Sequence, residues 1–422
     1  MSILKNFGKV NVLTITTKPS NDKKTRAKIT TLDINSKKIK FPRKSIHTAI
    51  GNTNEISLIK REIDIPSVNE ISLQITPKRL REIVANPNEH QKIKEDLKNV
   101  LSESYHKGIN IGYPFLLNQR SPNEKEEDFK PFGKPTTRVI EKLFDLFDID
   151  GIDVLILPSP SPNGYSLEWC KMSTDVFTKR KPDFMNEKAI FSGLIPLGNP
   201  SNHIKEMIDY YLKNKIESLT FDFYRMKVLE SRMREIIEKN VGNKKWGNMY
   251  IHATNVPPNN YQGKSREPVL GSYDVLVSVY GFDSFGGIVI GGGSSKVLNK
   301  NEIKPAIQRK RYRLIETYGD YNYHGLKTLM QNEIIKCDSP IWKVKNILDI
   351  YDEKTLSNKS VDDLRNELHD HRNYVTHKEV NTYSNLIEKN TFLPHIQEKK
   401  AVTKELNSIL NEFQKEKLNK FY

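Results

Sequence analysis

Two aspartates in apolar surroundings are the first residues of this sequence whose positions suggest chemistry. Asp222 lies inside the apolar segment LTFDFYR. Burial of a lone carboxylate costs several kcal/mol or raises its pKa, so Asp222 needs a partner or a function. Arg225 could neutralise Asp222 in a salt bridge, and a role as an acid–base residue or as an acceptor for the edge of a base is the alternative.

Asp283 lies in GFDSFGG, where glycines and aromatic rings surround a carboxylate. Glycines allow a bulky nucleotide to approach closely, and the rings could hold a base between them. We therefore predict that this segment binds a base, through Phe282, Ser284, Phe285, Gly286 and Gly287. The alternative is a tight turn in which Asp283 accepts backbone N–H groups.

Other polar residues follow nearby apolar segments. His252 and Asn255 could hydrogen-bond a base, and a satisfied interior histidine is the alternative for His252. Tyr318, Asp320 and Tyr321 could orient a substrate or form a packed aromatic turn. Cys170 has no histidine near it in sequence, so we interpret it as a buried thiol rather than a nucleophile.

The overall charge favours a polyanionic partner. The 422 residues include 67 Lys and Arg against 52 Asp and Glu, a net charge of +15. A positive field of this kind attracts nucleic acid, although surplus lysine on solvated surfaces is an equally simple explanation. The segment QRKRYR places an aromatic residue among basic ones, which suits binding to phosphate and stacking on a base, through Arg309, Lys310, Arg311 and Arg313.

The elements that would position these residues alternate between strands and helices. Residues 27–41 predict a β-hairpin that turns at Asn35-Ser36, and apolar strands are predicted over 108–117, 152–157, 189–197, 219–223, 249–253 and 273–280. Helices are predicted over 76–104, 137–147, 204–212, 226–237 and 396–422. Repeated strand–helix units predict a parallel sheet, and their number favours a (β/α)8 barrel over an open sheet. We expect the chemistry in the loops that follow the strands.

Several segments together resemble the tRNA-guanine transglycosylase family, which includes relatives that insert 7-deazaguanines into DNA. RAKITTLDINSKKIKFPRKSI resembles the opening hairpin of that family, YDVLVSVYGFDSFGGIVI its late strand and catalytic loop, and RYRLIETYGDYN the stretch that follows. The resemblance spans about residues 25–390. It implies a TIM-type barrel over 1–331, a C-terminal subdomain over 332–395 that resembles a degenerate zinc-binding module, and a terminal helix over 396–422.

The chain departs from the family pattern at its functional positions. Cys337 and His371 match two zinc ligands, but Ser339 and Trp342 replace two cysteines, so we expect the zinc site to be vestigial. Val277 stands where the pattern has an aspartate, and no acidic residue lies near Ile111 and Gly112, where another is expected. Either the catalytic carboxylates have moved or catalysis has been lost.

The resemblance implies a pentosyltransferase that replaces guanine in tRNA or DNA with a 7-deazaguanine-type base and requires no cofactor. Asp283 would be the nucleophile that forms a covalent aspartyl–sugar intermediate, and Asp222 the acid–base group. The alternative is an inactive barrel that binds nucleic acid or a partner subunit. An unrelated barrel enzyme for a phosphorylated small molecule is less favoured, because no glycine-rich phosphate loop is present.

The sequence also suggests where the chain works. It contains no apolar run of 18 residues and no leader pattern at its start, so we expect a cytoplasmic protein with no membrane contact. Homodimers are common in the family that the chain resembles. A homodimer or a heteromeric partner is therefore possible, and nothing in the sequence marks an interface.

Overall fold

The structure of the chain is a computed structural model. It covers residues 14–19, 25–34, 37–49, 66–103, 108–120, 124–160, 164–185, 189–223, 226, 228, 248–257, 269–271, 273–287, 314–316, 322–324 and 361–419.

Eight parallel strands form a closed barrel. The eight strands are β4 (Arg43–Ala49), β5 (Val68–Ile75), β6 (Ile109–Leu116), β7 (Val154–Ile156), β8 (Ile190–Pro196), β9 (Ser218–Asp222), β10 (Tyr250–Thr254) and β12 (Ser284–Phe285). Strands β4 to β9 follow one another around the barrel in chain order, and β10 and β12 complete the closure between β9 and β4. The predicted TIM-type α/β barrel is therefore confirmed.

Helices of the described chain cover the barrel. They are α1 (Pro77–Ala85), α2 (Pro87–Glu103), α3 (Thr137–Phe147), α4 (Ser166–Arg180), α5 (Ser201–Lys213), α6 (Val361–Glu388), α7 (Phe392–Gln397) and α8 (Lys400–Asn419), with short 3-10 helices at Glu126–Asp128, Lys181–Asp183 and Asp274–Tyr280. Helix α3 shows why the sequence forms these elements. The hydroxyl of Thr136 accepts a hydrogen bond from the backbone N–H of Val139 at its start, and its apolar residues recur at helical spacing, as at Ile140, Leu143, Phe144 and Phe147, which are buried.

The predicted hairpin forms part of an antiparallel sheet that closes the amino end of the barrel. Strand β1 (Thr14–Pro19) pairs with β2 (Lys28–Ile34), which pairs with β3 (Lys37–Lys40). Phe41, just after β3, packs against Tyr250 with ring centroids 5.2 Å apart. The apolar side chains of this sheet thus share one cluster with the residues at the amino ends of the barrel strands. A second antiparallel sheet contains β11 (Val269–Gly271), β14 (Asn322–His324) and β13 (Leu314–Glu316).

One strand prediction is wrong. The predicted strand over 273–280 is a 3-10 helix, Asp274–Tyr280, and the last barrel strand is the two-residue β12 that follows it. All seven residues of this helix are buried. A short buried apolar run has the same sequence pattern in a strand and in a helix, and this run is too short for its length to decide.

Other predictions lie wholly or partly outside the described residues. Most of the predicted helix over 226–237 does, as does the part of the predicted zinc-like subdomain that precedes α6. The predicted terminal helix is present as α8, and its Ile409, Leu410 and Phe413 are buried. None of the helices in the described part of the chain combines the length and the apolar character that crossing a membrane requires.

Candidate active site

Asp283 lies at the amino end of the barrel, just before β12. Its carboxylate Oδ2 accepts a hydrogen bond from the backbone N–H of Ile251 at 2.7 Å and lies 3.1 Å from Nζ of Lys28, the first residue of β2. The same ammonium donates to the carbonyl oxygen of Met249 at 2.7 Å. Both charged side chains are buried, and burial raises the pKa of Asp283 although Lys28 opposes that shift. These surroundings are those of a buried ion pair that joins the N-terminal sheet to the barrel.

Asp222 lies at the opposite end, as the last residue of β9. The amide of Asn255, just after β10, donates to its Oδ1 at 2.8 Å. Asn255 has a φ of 54°, a left-handed conformation that asparagine adopts more readily than most residues. The loop after β10 therefore turns this amide back towards the end of β9. The structure does not bring Asp222 and Asp283 together, because one lies at a carboxyl end and the other at an amino end.

Glu70, the third residue of β5, supplies a second buried carboxylate, which contacts the last residue of β10, and it was not among the residues predicted from the sequence. Its Oε2 accepts from the hydroxyl of Ser45 at 3.1 Å and lies 3.3 Å from Nε2 of His252. Its Oε1 accepts from the hydroxyl of Thr254, the last residue of β10. Burial alone would raise the pKa of Glu70, but His252, His47 and Thr254 together hold it below its ordinary value.

Gly286, just after β12, provides the space that Glu70 occupies. A Cβ atom added to Gly286 would lie 2.0 Å from Oε2 of Glu70 and 2.7 Å from the hydroxyl oxygen of Ser45. No side chain fits at this position while the Glu70 carboxylate stays where it is. Gly286 was predicted to let a nucleotide approach closely. In the structure, the group that lies against it is the Glu70 carboxylate of the protein itself.

His252 connects this carboxylate to two hydroxyl groups. Its Nδ1 lies 2.7 Å from the hydroxyl oxygen of Ser284, which lies 2.6 Å from that of Tyr250. On the other side of Glu70, His47 hydrogen-bonds the hydroxyl of Ser72. Burial lowers the pKa of His47. The negative charge of Glu70 raises this pKa, and the positive charge of Lys44 lowers it further. Polar side chains from four neighbouring strands thus form one network.

The hydroxyl of Tyr113 on β6 is influenced by both Glu70 and Asp222. Burial raises the pKa of this hydroxyl well above the ordinary value, and the negative charges of Asp222 and Glu70 raise it further, while Asn255 opposes the shift. Both carboxylates therefore act on one hydroxyl inside the barrel. This places two acidic groups, one amide and one phenol around a single interior region.

The aromatic residues of GFDSFGG belong to the hydrophobic core. The ring of Phe282 packs edge-on against Phe221 and Phe223 at centroid distances of 5.6 and 5.7 Å. Phe285 is buried, with the ammonium of Lys44 at 5.8 Å from its ring. The structure thus places both rings, which were predicted to hold a base, in the hydrophobic core, while Ser284 and Gly286 contact the interior network.

Gly287, the last described residue of its segment, is partly buried. The remaining predicted site residues have no described side-chain structure. Arg309, Lys310, Arg311, Arg313, Tyr318, Asp320, Tyr321 and Cys337 lie outside the described residues, and His371 lies on α6. The ligand set itself does not fit zinc, because Ser339 and Trp342 stand where thiolates are needed.

A signal for Glu70 was present in the sequence. In VNEISLQI the alternate residues Glu70, Ser72 and Gln74 are polar, and Glu70 and Ser72 contact other interior side chains. A carboxylate on the inner face of a strand is the same kind of signal that selected Asp222. The segment was missed because no strand was predicted there.

No protein-family model matches this chain, and none of the curated proteins compared with it is significantly similar. A barrel of this kind supports many unrelated reactions, so the function has to be argued from the site.

Proposed function

We propose that this chain is a pentosyltransferase that exchanges guanine in tRNA or DNA for a 7-deazaguanine-type base, with Asp222 and Glu70 as its carboxylates. The observation that carries the proposal is a pair of buried carboxylates that both lie next to Thr254: Asp222 is its strand partner, and Glu70 accepts a hydrogen bond from its hydroxyl. The substrate class comes from the sequence resemblance, and the roles of the residues come from the geometry. Asp283 has no role in the proposed chemistry because it is held in an ion pair at the other end.

The reaction uses Asp222 as the nucleophile. A carboxylate oxygen of Asp222 bonds to the anomeric carbon of the sugar, and the bond between that carbon and the base nitrogen breaks. The bonding electrons stay on the base nitrogen. That nitrogen takes one proton from the His252–Glu70 pair in its protonated form, an imidazolium beside a carboxylate, which leaves His252 neutral. The incoming base then returns one proton to this pair, its nitrogen bonds to the anomeric carbon, and Asp222 leaves as a carboxylate. This is the two-carboxylate scheme of retaining glycosyl transfer.

The position of the two groups suits these roles. Asp222 ends β9 at the carboxyl face of the barrel, where TIM-barrel enzymes carry their active sites. Nε2 of His252 and Oε2 of Glu70 lie 3.3 Å apart, so a small rotation of these side chains would align them for proton transfer. Asn255 orients the Asp222 carboxylate through its amide.

Incorporation of radiolabelled guanine tests the proposal. The chain is incubated with the label and either tRNA or duplex DNA, and acid-precipitable label is counted. The wild type should label one polymer, and Asp222→Asn and Glu70→Gln should each lower the rate about 100-fold or more. Glu95→Gln, the same change on an exposed helical carboxylate, should have no effect. Incorporation at the wild-type rate in Asp222→Asn, or none by the wild type into either polymer, overturns the proposal.

One observation favours a second candidate, an inactive barrel that binds nucleic acid or a partner subunit. Glu70, His252, Ser284 and Asp222 are fully buried, as expected for a network that stabilises the barrel. This candidate predicts salt-sensitive binding to tRNA or DNA without any incorporation. The two outcomes of the labelling experiment therefore separate the candidates.

A further inference from the structure

The hydroxyl groups of Tyr250 and Ser284 form a short chain that ends on His252. Tyr250 and His252 alternate with Ile251 along β10, so both face the barrel interior, and Ser284 faces them from β12. The hydroxyl oxygens of Tyr250 and Ser284 are 2.6 Å apart, and that of Ser284 is 2.7 Å from Nδ1 of His252. All three side chains are buried.

The contacts decide the direction of these hydrogen bonds. Within the described chain, Ser284 is the hydrogen-bond partner of the Tyr250 hydroxyl. Burial raises the pKa of Tyr250 far above its ordinary value, so the phenol keeps its proton. A buried O–H that makes no hydrogen bond is costly, so Tyr250 donates to Ser284. The Ser284 hydroxyl then has its proton free to donate, and Nδ1 of His252 is the acceptor within reach.

The reverse direction leaves a donor unused. If Nδ1 of His252 carried a proton and donated it to Ser284, either the Ser284 or the Tyr250 hydroxyl would lack an acceptor among the described residues. In neutral His252 a proton on Nδ1 would also leave the lone pair of Nε2 only 3.3 Å from a carboxylate oxygen of Glu70, a repulsive contact even though the two atoms are not aligned for a hydrogen bond. Both effects place the proton of neutral histidine on the other nitrogen.

We infer that Tyr250 and Ser284 are positioning residues that hold the proton of neutral His252 on Nε2, where it faces the carboxylate of Glu70. The titratable groups around this imidazole are Glu70 on β5 and Tyr250 on its own strand, with His47 of β4 on the far side of Glu70. These contacts carry the inference, and only its consequence rests on the proposed function. In that reaction the hydroxyl chain keeps the shared proton between His252 and Glu70 rather than on the side of Ser284.

The tautomer can be read directly in the wild-type chain. Protein labelled with ¹⁵N-histidine gives a long-range ¹H–¹⁵N correlation spectrum, and the His252 signals are those that disappear in His252→Gln. At a pH where His252 is neutral, Nε2 should show a protonated, pyrrole-type shift and Nδ1 an unprotonated, pyridine-type shift. A pyrrole-type Nδ1 would overturn the inference, whether or not the chain has exchange activity.

Ser284→Ala tests the direction of the hydrogen bond. A donor to Nδ1 favours the tautomer of neutral histidine that carries its proton on Nε2, so its removal should lower the ratio of this tautomer to the other about fivefold, the size expected for one buried hydrogen bond. If Ser284 instead accepted a proton from Nδ1, its removal would raise that ratio. The matched control is Ser192→Ala, which removes another buried barrel hydroxyl that bonds Thr220 and Ser218 and should leave His252 unchanged. An unchanged or higher ratio of the Nε2-protonated tautomer in Ser284→Ala contradicts the inference.

Discussion

At the scale of single residues, the interior carboxylate and the glycine beside it depend on each other. Glu70 carries a full side chain into the barrel because Gly286 carries none. The network around Glu70 is fully packed, so a change of a single methyl group there has a large effect.

Gly286→Ala should therefore displace the Glu70 carboxylate and lower the free energy of unfolding by about 1–3 kcal/mol. The new Cβ would lie 2.0 Å from Oε2 of Glu70, too close for both atoms to stay in place. Urea unfolding measures the change. Gly133→Ala is the control, since a Cβ there meets nothing within 4 Å. Equal stability of the two variants would show that the Glu70 carboxylate lies elsewhere.

The ion pair of Lys28 and Asp283 should behave as a buried structural pair. Lys28→Met or Asp283→Asn leaves one buried charge without its partner, and each should cost about 3–5 kcal/mol of stability. The double variant should lose less than the sum of the two, which a double-mutant cycle measures as a coupling free energy. The exposed pair Lys40 and Glu388 serves as the comparison and should show a much smaller effect.

The same variant tests the role of Asp283 in the reaction. Folded Asp283→Asn should exchange label at the wild-type rate, because its carboxylate lies away from Asp222. Loss of exchange in protein that is shown to be folded would return the nucleophilic role to Asp283.

Cys170 should be inert in the folded chain. Burial raises the pKa of its thiol from 9.0 to about 12, so thiolate is scarce at pH 8. In Cys337→Ser, where Cys170 is the only thiol left, a thiol reagent should react after denaturation and not before. In the unfolded chain the Cys170 thiol loses its proton near pH 9, whereas in the folded chain it keeps it up to about pH 12. The free energy of unfolding should therefore fall as pH rises from about 9 to 12. Rapid labelling of the native variant at pH 8 would contradict the burial.

At the scale of elements, the N-terminal sheet closes the barrel below the candidate site. Phe41 after β3 packs on Tyr250, whose hydroxyl begins the chain of hydrogen bonds to His252. The sheet thus supports the polar network through an aromatic contact.

Phe41→Ala should cost about 3–5 kcal/mol, as expected for removal of a buried ring. Because Tyr250 loses its support, the variant should also disturb the His252 signals in the ¹⁵N spectrum. Tyr165→Ala, which removes a ring that is 43% exposed, should change stability by less than about 0.5 kcal/mol. A Phe41→Ala variant as stable as Tyr165→Ala would show that the sheet does not close the barrel.

At the scale of the whole molecule, the charge of +15 should make any nucleic-acid binding steeply dependent on salt. Replacement of Arg309, Lys310, Arg311 and Arg313 by glutamine should lower the slope of log K against log salt by about one for each phosphate that these side chains neutralise. The control replaces four exposed lysines elsewhere, Lys92, Lys130, Lys134 and Lys171, and keeps the net charge of the two variants equal. If both variants change the slope equally, the QRKRYR segment is not a specific interface.

The sequence by itself determined the class of fold and many of its elements. The alternation of strands and helices predicted the barrel, the Asn35-Ser36 turn predicted the hairpin, and the helix over 137–147 was predicted with the bounds that α3 has. These features depend on local periodicity and turn residues, which a sequence shows directly. The burial of Asp222 was likewise predicted from its apolar neighbours, because a strand inside a closed barrel contacts protein on both faces.

Only the tertiary structure decided which residues meet. Glu70 and His252 are 182 positions apart and lie 3.3 Å from each other, because barrel closure brings β10 and β12 next to β4 and β5. The end of the barrel at which Asp283 lies depends on whether it precedes or follows a strand, and a 3-10 helix replaced the strand expected before it. Closure of the barrel and the start of a two-residue strand depend on contacts between distant segments, so no local pattern could show them.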